Sequence, residues 1–156
     1  MRGFFESAKP FRDQQLGLLE RRHGKWIGSV TLPPHGQVEL WVAGDRAAPD
    51  AASVRLAADA SAQFSAVRAE LAGQLLEHYL PYQDVWQRNE IDDPDLELSV
   101  PEDVWAHVLV ASIDVDARRV KSPIEFRLEV AWDHEHTLGA LVRDGTLLEL
   151  NGSAIR

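Results

Sequence analysis

Residues 124–132 read Ile-Glu-Phe-Arg-Leu-Glu-Val-Ala-Trp, an unbroken alternation of apolar and polar positions. Successive side chains of a strand point to opposite faces, so this pattern suits a β-strand with one dry and one wet side. Ile124, Phe126, Leu128, Val130 and Trp132 share the apolar face, and Glu125, Arg127, Glu129 and Ala131 share the other. The strand is expected near the centre of a sheet, its charged face in water. Residues 138–142 and 146–150 come next as apolar runs around Arg143-Asp144-Gly145. An Asp-Gly pair accepts the positive φ angles of a tight hairpin, which makes these runs antiparallel neighbours.

The same alternation recurs earlier. Trp26, Gly28, Val30 and Leu32 alternate with Ile27, Ser29 and Thr31, and Val38, Leu40 and Val42 with Glu39 and Trp41, around Pro33-Pro34-His35-Gly36. That is a second hairpin, in which Gly28 marks a bulge or a close packing contact. Residues 108–115 read as a strand with its odd-numbered face buried. Residues 11–19, interrupted by Gly17, read as a short strand or irregular lead-in.

One long helix is predicted. Phe64, Val67, Leu71, Leu75 and Tyr79 fall three and four residues apart, with Asp59 or Ser61 as its cap and a short Ala-rich helix before it. Pro81 should kink the helix or open a new turn, leaving Tyr79, Tyr82 and Trp86 at the core edge. Residues 90–103 hold seven carboxylates, two prolines and no base, and read as a connection with at most a short helix at 101–107. The resulting fold class is α+β: an antiparallel sheet of about six strands with one main helix packed on one face, forming a single domain over residues 1–156.

Composition narrows the function. A chain of 156 residues buries a sizeable core without staples, and the absence of cysteine excludes disulfides, thiolate metal sites and cysteine nucleophiles. Sixteen Lys and Arg against 25 Asp and Glu, a net charge of −9, argue against a nucleic-acid partner, whose phosphates need cations. The residues up to Lys25 lean basic, which suits a solvated terminal segment. With neither a secretory signal nor a run approaching the roughly 18 apolar residues of a membrane helix, no membrane role and a cytoplasmic location are expected.

The densest group of titratable side chains is Asp133-His134-Glu135-His136. Were it extended, His134 and His136 would point to one face about 6.5 to 7 Å apart, with Asp133 and Glu135 on the other. A His-x-His pair can bind a metal, but zinc needs a third protein ligand, and His23, His35, His78 and His107 show no spacing that supplies one. Acid–base chemistry through His136, oriented by Asp133 or Glu135, is the other catalytic option. Against both stands a structural duty, with Asp133 accepting backbone N–H bonds at a strand junction. There is no Gly-rich phosphate loop and no nucleophile elbow, so no cofactor is expected.

Phe11-Arg-Asp, Leu16-Gly and Leu19, Trp26-Ile-Gly-Ser-Val, the helix, Trp132-Asp-x-Glu-His-Thr-Leu-Gly and Glu149-Leu-Asn-Gly-Ser together resemble bacterial domains of unknown function. Some of these are similar to immunity-type proteins found beside secreted toxins. The resemblance implies a compact cytosolic α+β domain and carries over no catalytic residue. Two expectations result. The first is a non-enzymatic, immunity-like binding protein whose acidic segment, with Asp92, Asp93 and Asp95, covers a basic protein partner. The second is a metal-dependent or acid–base enzyme using Asp133, His134, Glu135 and His136. An exposed edge strand would also permit a homodimer.

Overall fold

The computed structural model describes residues 8–88 and 96–152. Its sheet has eight strands in chain order: β1 (Phe11–Asp13), β2 (Gly17–Arg22), β3 (Lys25–Thr31), β4 (Gln37–Val42), β5 (Val108–Val115), β6 (Ile124–Val130), β7 (Asp133–Arg143) and β8 (Thr146–Asn151). Between β4 and β5 lie α1 (Ala51–Ala58), α2 (Ala60–Arg88) and a 3₁₀ helix (Pro101–His107).

The expected six strands become eight because the N-terminal segment folds into the sheet rather than lying in solvent. The Asp13 carboxylate accepts the N–H groups of Gln15 and Leu16 at 2.8 and 2.9 Å, and Gly17 takes a φ of +74°, so the chain reverses within four residues. A second reversal at His23-Gly24, with φ of 53° and 76°, pairs β2 with β3. Leu16 and Leu19 are buried as a result. Gly28 is the close contact expected: a Cβ there would lie 2.5 Å from Leu19 Cδ2.

The sheet is also not wholly antiparallel. β4 and β5 pair in parallel, since the helical connection carries the chain back to the end of the sheet where β4 began. All the other neighbouring pairs are antiparallel. On β5 the expected odd-numbered buried face holds only for Ile113 and Val115. Ala111 is an extra residue between the pairs Val110–Leu128 and Ser112–Arg127, so Val108 and Val110 are buried instead and Leu109 is exposed.

The helix stripe packs as the spacing predicts: Phe64, Val67, Leu71, Leu75 and Tyr79 are all buried. Each contributes about 1.5–3 kcal/mol by leaving water. Phe64 meets Phe126 and Trp105 at centroid distances of 5.0 and 5.8 Å, joining α2 to β6 and the 3₁₀ helix. At the α1–α2 junction, Asp59 accepts the Gln63 side-chain amide at 2.9 Å and its carbonyl accepts Gln63 N–H at 3.0 Å. α2 continues through Pro81 to Arg88.

Two contacts fix α2 along β7. Gln63 Oε1 accepts the N–H of Gly145 in the β7–β8 turn, and Tyr82 donates to Asp133 at the other end of the strand. Nineteen helical steps span roughly 29 Å and ten strand steps roughly 33 Å, so the helix lies along nearly the whole strand. Among the described residues no helix is long and apolar enough to cross a membrane.

Candidate functional site

The Asp133–His136 group sits where the second half of α2 meets the start of β7. His78 and Tyr82 are one helical turn apart and present the same face, their rings 5.5 Å from centroid to centroid. Opposite them, β6 ends at Val130, the chain turns through Ala131 and Trp132, and β7 begins. Val130 pairs with Asp133 and Leu128 with Leu138, so four residues of β7 stand against Glu129 alone. The excursion 134–137 removes the strict alternation on which a shared His134–His136 face depends.

Asp133 holds the excursion in shape. Its Oδ1 accepts the backbone N–H of Glu135 at 3.1 Å and of His136 at 3.3 Å. His136 Nδ1 lies 3.1 and 3.0 Å from the two carboxylate oxygens, and since a carboxylate only accepts, Nδ1 carries the proton. Tyr82 Oη donates to Oδ2 at 2.6 Å. Next to this, Trp132 Nε1 donates to His78 Nδ1 at 2.9 Å, which requires His78 to be the neutral tautomer protonated on Nε2.

The electrostatics agree with that geometry. Burial alone would raise the Asp133 carboxyl, but the donors Tyr82 and His136 and the Glu135 N–H outweigh it and hold Asp133 below the usual carboxylate range. The hydrogen bond to Asp133 pushes Tyr82 up to about 12. Burial, and then the neighbouring His136, push His78 below the ordinary imidazole value against the opposing pull of Asp133.

Asp133 is therefore an ionised carboxylate with its lone pairs engaged, as a structural duty requires. His136 is the group with chemistry to spare: its side chain is half exposed and its Nε2 points away from the clamp. Glu135 gives a backbone N–H to Asp133, and its side chain is exposed. His134 takes no part; it lines a separate depression of about 370 Å³ with His107, Leu109 and Glu129. Among the described residues, no three His, Asp or Glu are grouped to hold a metal ion.

Tyr82 and His78 complete the cluster from a distant stretch of sequence. The i, i+4 spacing of two polar-tipped rings on an apolar helix face is the available signal, but nothing local tells where that face docks. Beside Tyr82 an apolar cleft of about 280 Å³ is lined by Pro81, Tyr82, Val85 and Trp86. Leu80 and Val85 are 47% and 50% exposed here, large values for side chains that gain by leaving water.

The chain then enters the acidic stretch. Asp92, Asp93 and Asp95 lie outside the described residues. Two of its carboxylates have structural duties: Asp103 accepts the N–H groups of Ser99 and Val100 at 2.8 and 2.9 Å, and Glu102 pairs with Arg68 at 2.8 Å. Leu98 is buried, and Tyr79 Oη donates to the Leu96 carbonyl at 3.3 Å, anchoring the return of the segment.

Among known families, one described as "Domain of unknown function (DUF6985)" matches residues 16–155. No curated protein and no solved structure matches the chain.

Proposed function

The chain belongs to the DUF6985 family, a domain of unknown function, and from that premise we propose that it is a non-enzymatic, immunity-like bacterial protein that binds a basic protein partner in the cytoplasm. The observation that carries this reading is the apolar cleft of Pro81, Tyr82, Val85 and Trp86 near the end of α2, which the carboxylate-rich residues 90–103 follow in the sequence. Half-buried aromatic and exposed aliphatic side chains supply the affinity of a small interface centre, and a rim of like charge attracts and orients an opposite one. Asp84 on the helix is paired with Arg88 at 2.8 Å, and Asp92, Asp93 and Asp95 are proposed to form the rim.

The test uses the product of the gene adjacent to this one as the candidate partner. Calorimetry should give a one-to-one complex whose affinity falls with salt and falls again when Asp92, Asp93 and Asp95 are changed together to Asn. Val85→Ser should weaken it independently. No complex, or one indifferent to salt and to the triple variant, refutes the reading. Because β1 and β8 are the edges of the sheet, pairing of two copies is the competing outcome, read from the mass of the free protein.

One observation favours a second reading. The 3.0 Å contact to Asp133 orients His136 and leaves its Nε2 outward, an arrangement that suits acid–base catalysis. That reading requires His136→Ala to abolish an activity that the wild-type protein shows. Its metal-dependent form, with His134 and His136 as ligands, requires metal at near-stoichiometric level in protein purified without chelator.

A further inference from the structure

The outer face of the sheet, away from α2, carries a second group of charges. The bulge at Ala111 turns Ser112 and Asp114 outward, placing Asp114 directly opposite Glu125 on β6 and beside Trp41 on β4. Both carboxylates are buried, Glu125 completely. Two buried like charges facing one another are stable only if cations meet them.

Among the described residues, three do so. Arg127 pairs with Glu125 at 3.0 Å and approaches Asp114 at 3.5 Å; Arg119 and Lys25 approach Asp114 at 3.3 and 3.6 Å. The nearby Asp116 is matched by Arg118 at 3.0 Å. Three cations thus surround two buried carboxylates, and Glu39, which accepts the Trp41 indole N–H, stands on the same face. The contacts to Asp114 Oδ1, at 3.3 and 3.6 Å, are ion pairs without hydrogen-bond geometry, and both that oxygen and the buried Arg119 Nε lack a hydrogen-bond partner among the described residues.

Lys25, Asp114, Arg119 and Arg127 line a cavity of about 500 Å³ together with His23, Trp41 and Asp116. Lys25, on its wall, reaches one ion-pair partner among the described residues and remains 28% exposed, so its ammonium has donors to give. The Arg127 guanidinium lies 5.7 Å from the centre of the Trp41 ring, which forms a flat apolar wall. Such a cavity lies within the size range of small-ligand sites, and its low-dielectric walls strengthen the pull of its cations.

We propose that this cavity is a binding site for a small oxyanion, a carboxylate or phosphate group, held by Lys25, Arg119 and Arg127 with the body of the ligand against Trp41. The ligand then supplies the acceptor that Arg119 Nε lacks, and the sheet face opposite the partner surface acquires a ligand of its own.

The test is a titration of the intact protein with inorganic phosphate and, separately, with acetate at constant ionic strength, read by the indole N–H resonance of Trp41. Trp41→Phe assigns that signal among the five tryptophans. A saturable shift with phosphate alone, acetate alone or both supports the site and sorts its chemistry. Lys25→Gln should weaken binding about tenfold, as expected for losing a charge-assisted contact. Arg119→Gln supplies the same test if the first variant folds poorly. The absence of a saturable shift in the wild-type protein, or an affinity unchanged in a folded variant, overturns the proposal.

Discussion

Tyr82→Phe removes one oxygen and is the sharpest probe of the junction between α2 and β7. The hydroxyl donates to a buried carboxylate at 2.6 Å, so its loss takes a charge-assisted bond from a group that water cannot fully reach. Bonds to charged groups contribute about 1.5–3 kcal/mol, and Asp133 keeps His136 and two backbone donors, which favours the lower half of that range. A cost of about 2 kcal/mol lowers the melting temperature of a domain this size by roughly 4–8 °C.

The pH dependence separates this mechanism from simple loss of packing. Asp133 is held below its ordinary range in the folded state, so its contribution is present above the unfolded value of 3.8 and disappears as pH falls through the folded value. The Tyr82 hydroxyl is pushed up to about 12, so its contribution is complete below the ordinary phenol value of 10.0 and is lost as pH rises toward 12. The difference in stability between wild type and Tyr82→Phe should therefore be a plateau between about pH 4 and 10 that shrinks at both ends. Urea unfolding followed by tryptophan fluorescence at a series of pH values measures it. With two tyrosines in the chain, an absorbance titration also shows directly whether one phenol is delayed. A cost below about 0.5 kcal/mol at pH 7, or the same cost at pH 3 and 7, refutes the hydrogen-bonded clamp.

Three other outcomes are expected. Phe64→Ala should cost about 3–5 kcal/mol in urea unfolding, because the ring is fully buried between Phe126 and Trp105 and leaves a cavity no neighbour can close. Gly28→Ala should cost about 1–3 kcal/mol by driving a methyl into Leu19, and Leu19→Val in the same chain should recover part of it; additive costs would show that the contact is not the cause. His78 is held below its ordinary value, so its contribution to stability is present above pH 6.5 and falls as pH drops toward the folded value, when Nδ1 can no longer accept from Trp132. His78→Asn, which keeps an acceptor without a titration, should flatten the stability curve between pH 6.5 and the carboxylate range, leaving there the part due to His35, which burial lowers in the same sense.

The inner layer of this fold is legible in the sequence because it obeys two simple periods. The stripe Phe64 to Tyr79 and the alternation Ile124 to Val130 meet in the core as their spacing predicts, and Asp144-Gly145, with φ of 49° and 70°, makes the expected turn. Strands β1 and β2 are not legible in the same way. β1 has three residues, too few for a period to emerge, and the turn into β3 uses a histidine at positive φ rather than the usual Asn or Asp. The parallel join of β4 to β5 is decided by where a connection of more than sixty residues returns, and no local pattern encodes that.

Both the proposed oxyanion site and the acid–base group lie where strand register breaks, and this has a physical reason. A regular strand with one buried face sends its polar side chains evenly into water, each far from the next on its own face. An extra residue changes that parity and re-aims the side chains beyond it. At Ala111 the change brings Asp114 onto the face of Glu125 and Arg127; at 134–137 the three extra residues let His136 fold back on Asp133. A sequence read with a strict period of two assigns Val108, Leu109 and Val110 to the wrong faces and His136 to a partnership with His134. The departures from the period, and not the period itself, determine which charged groups meet.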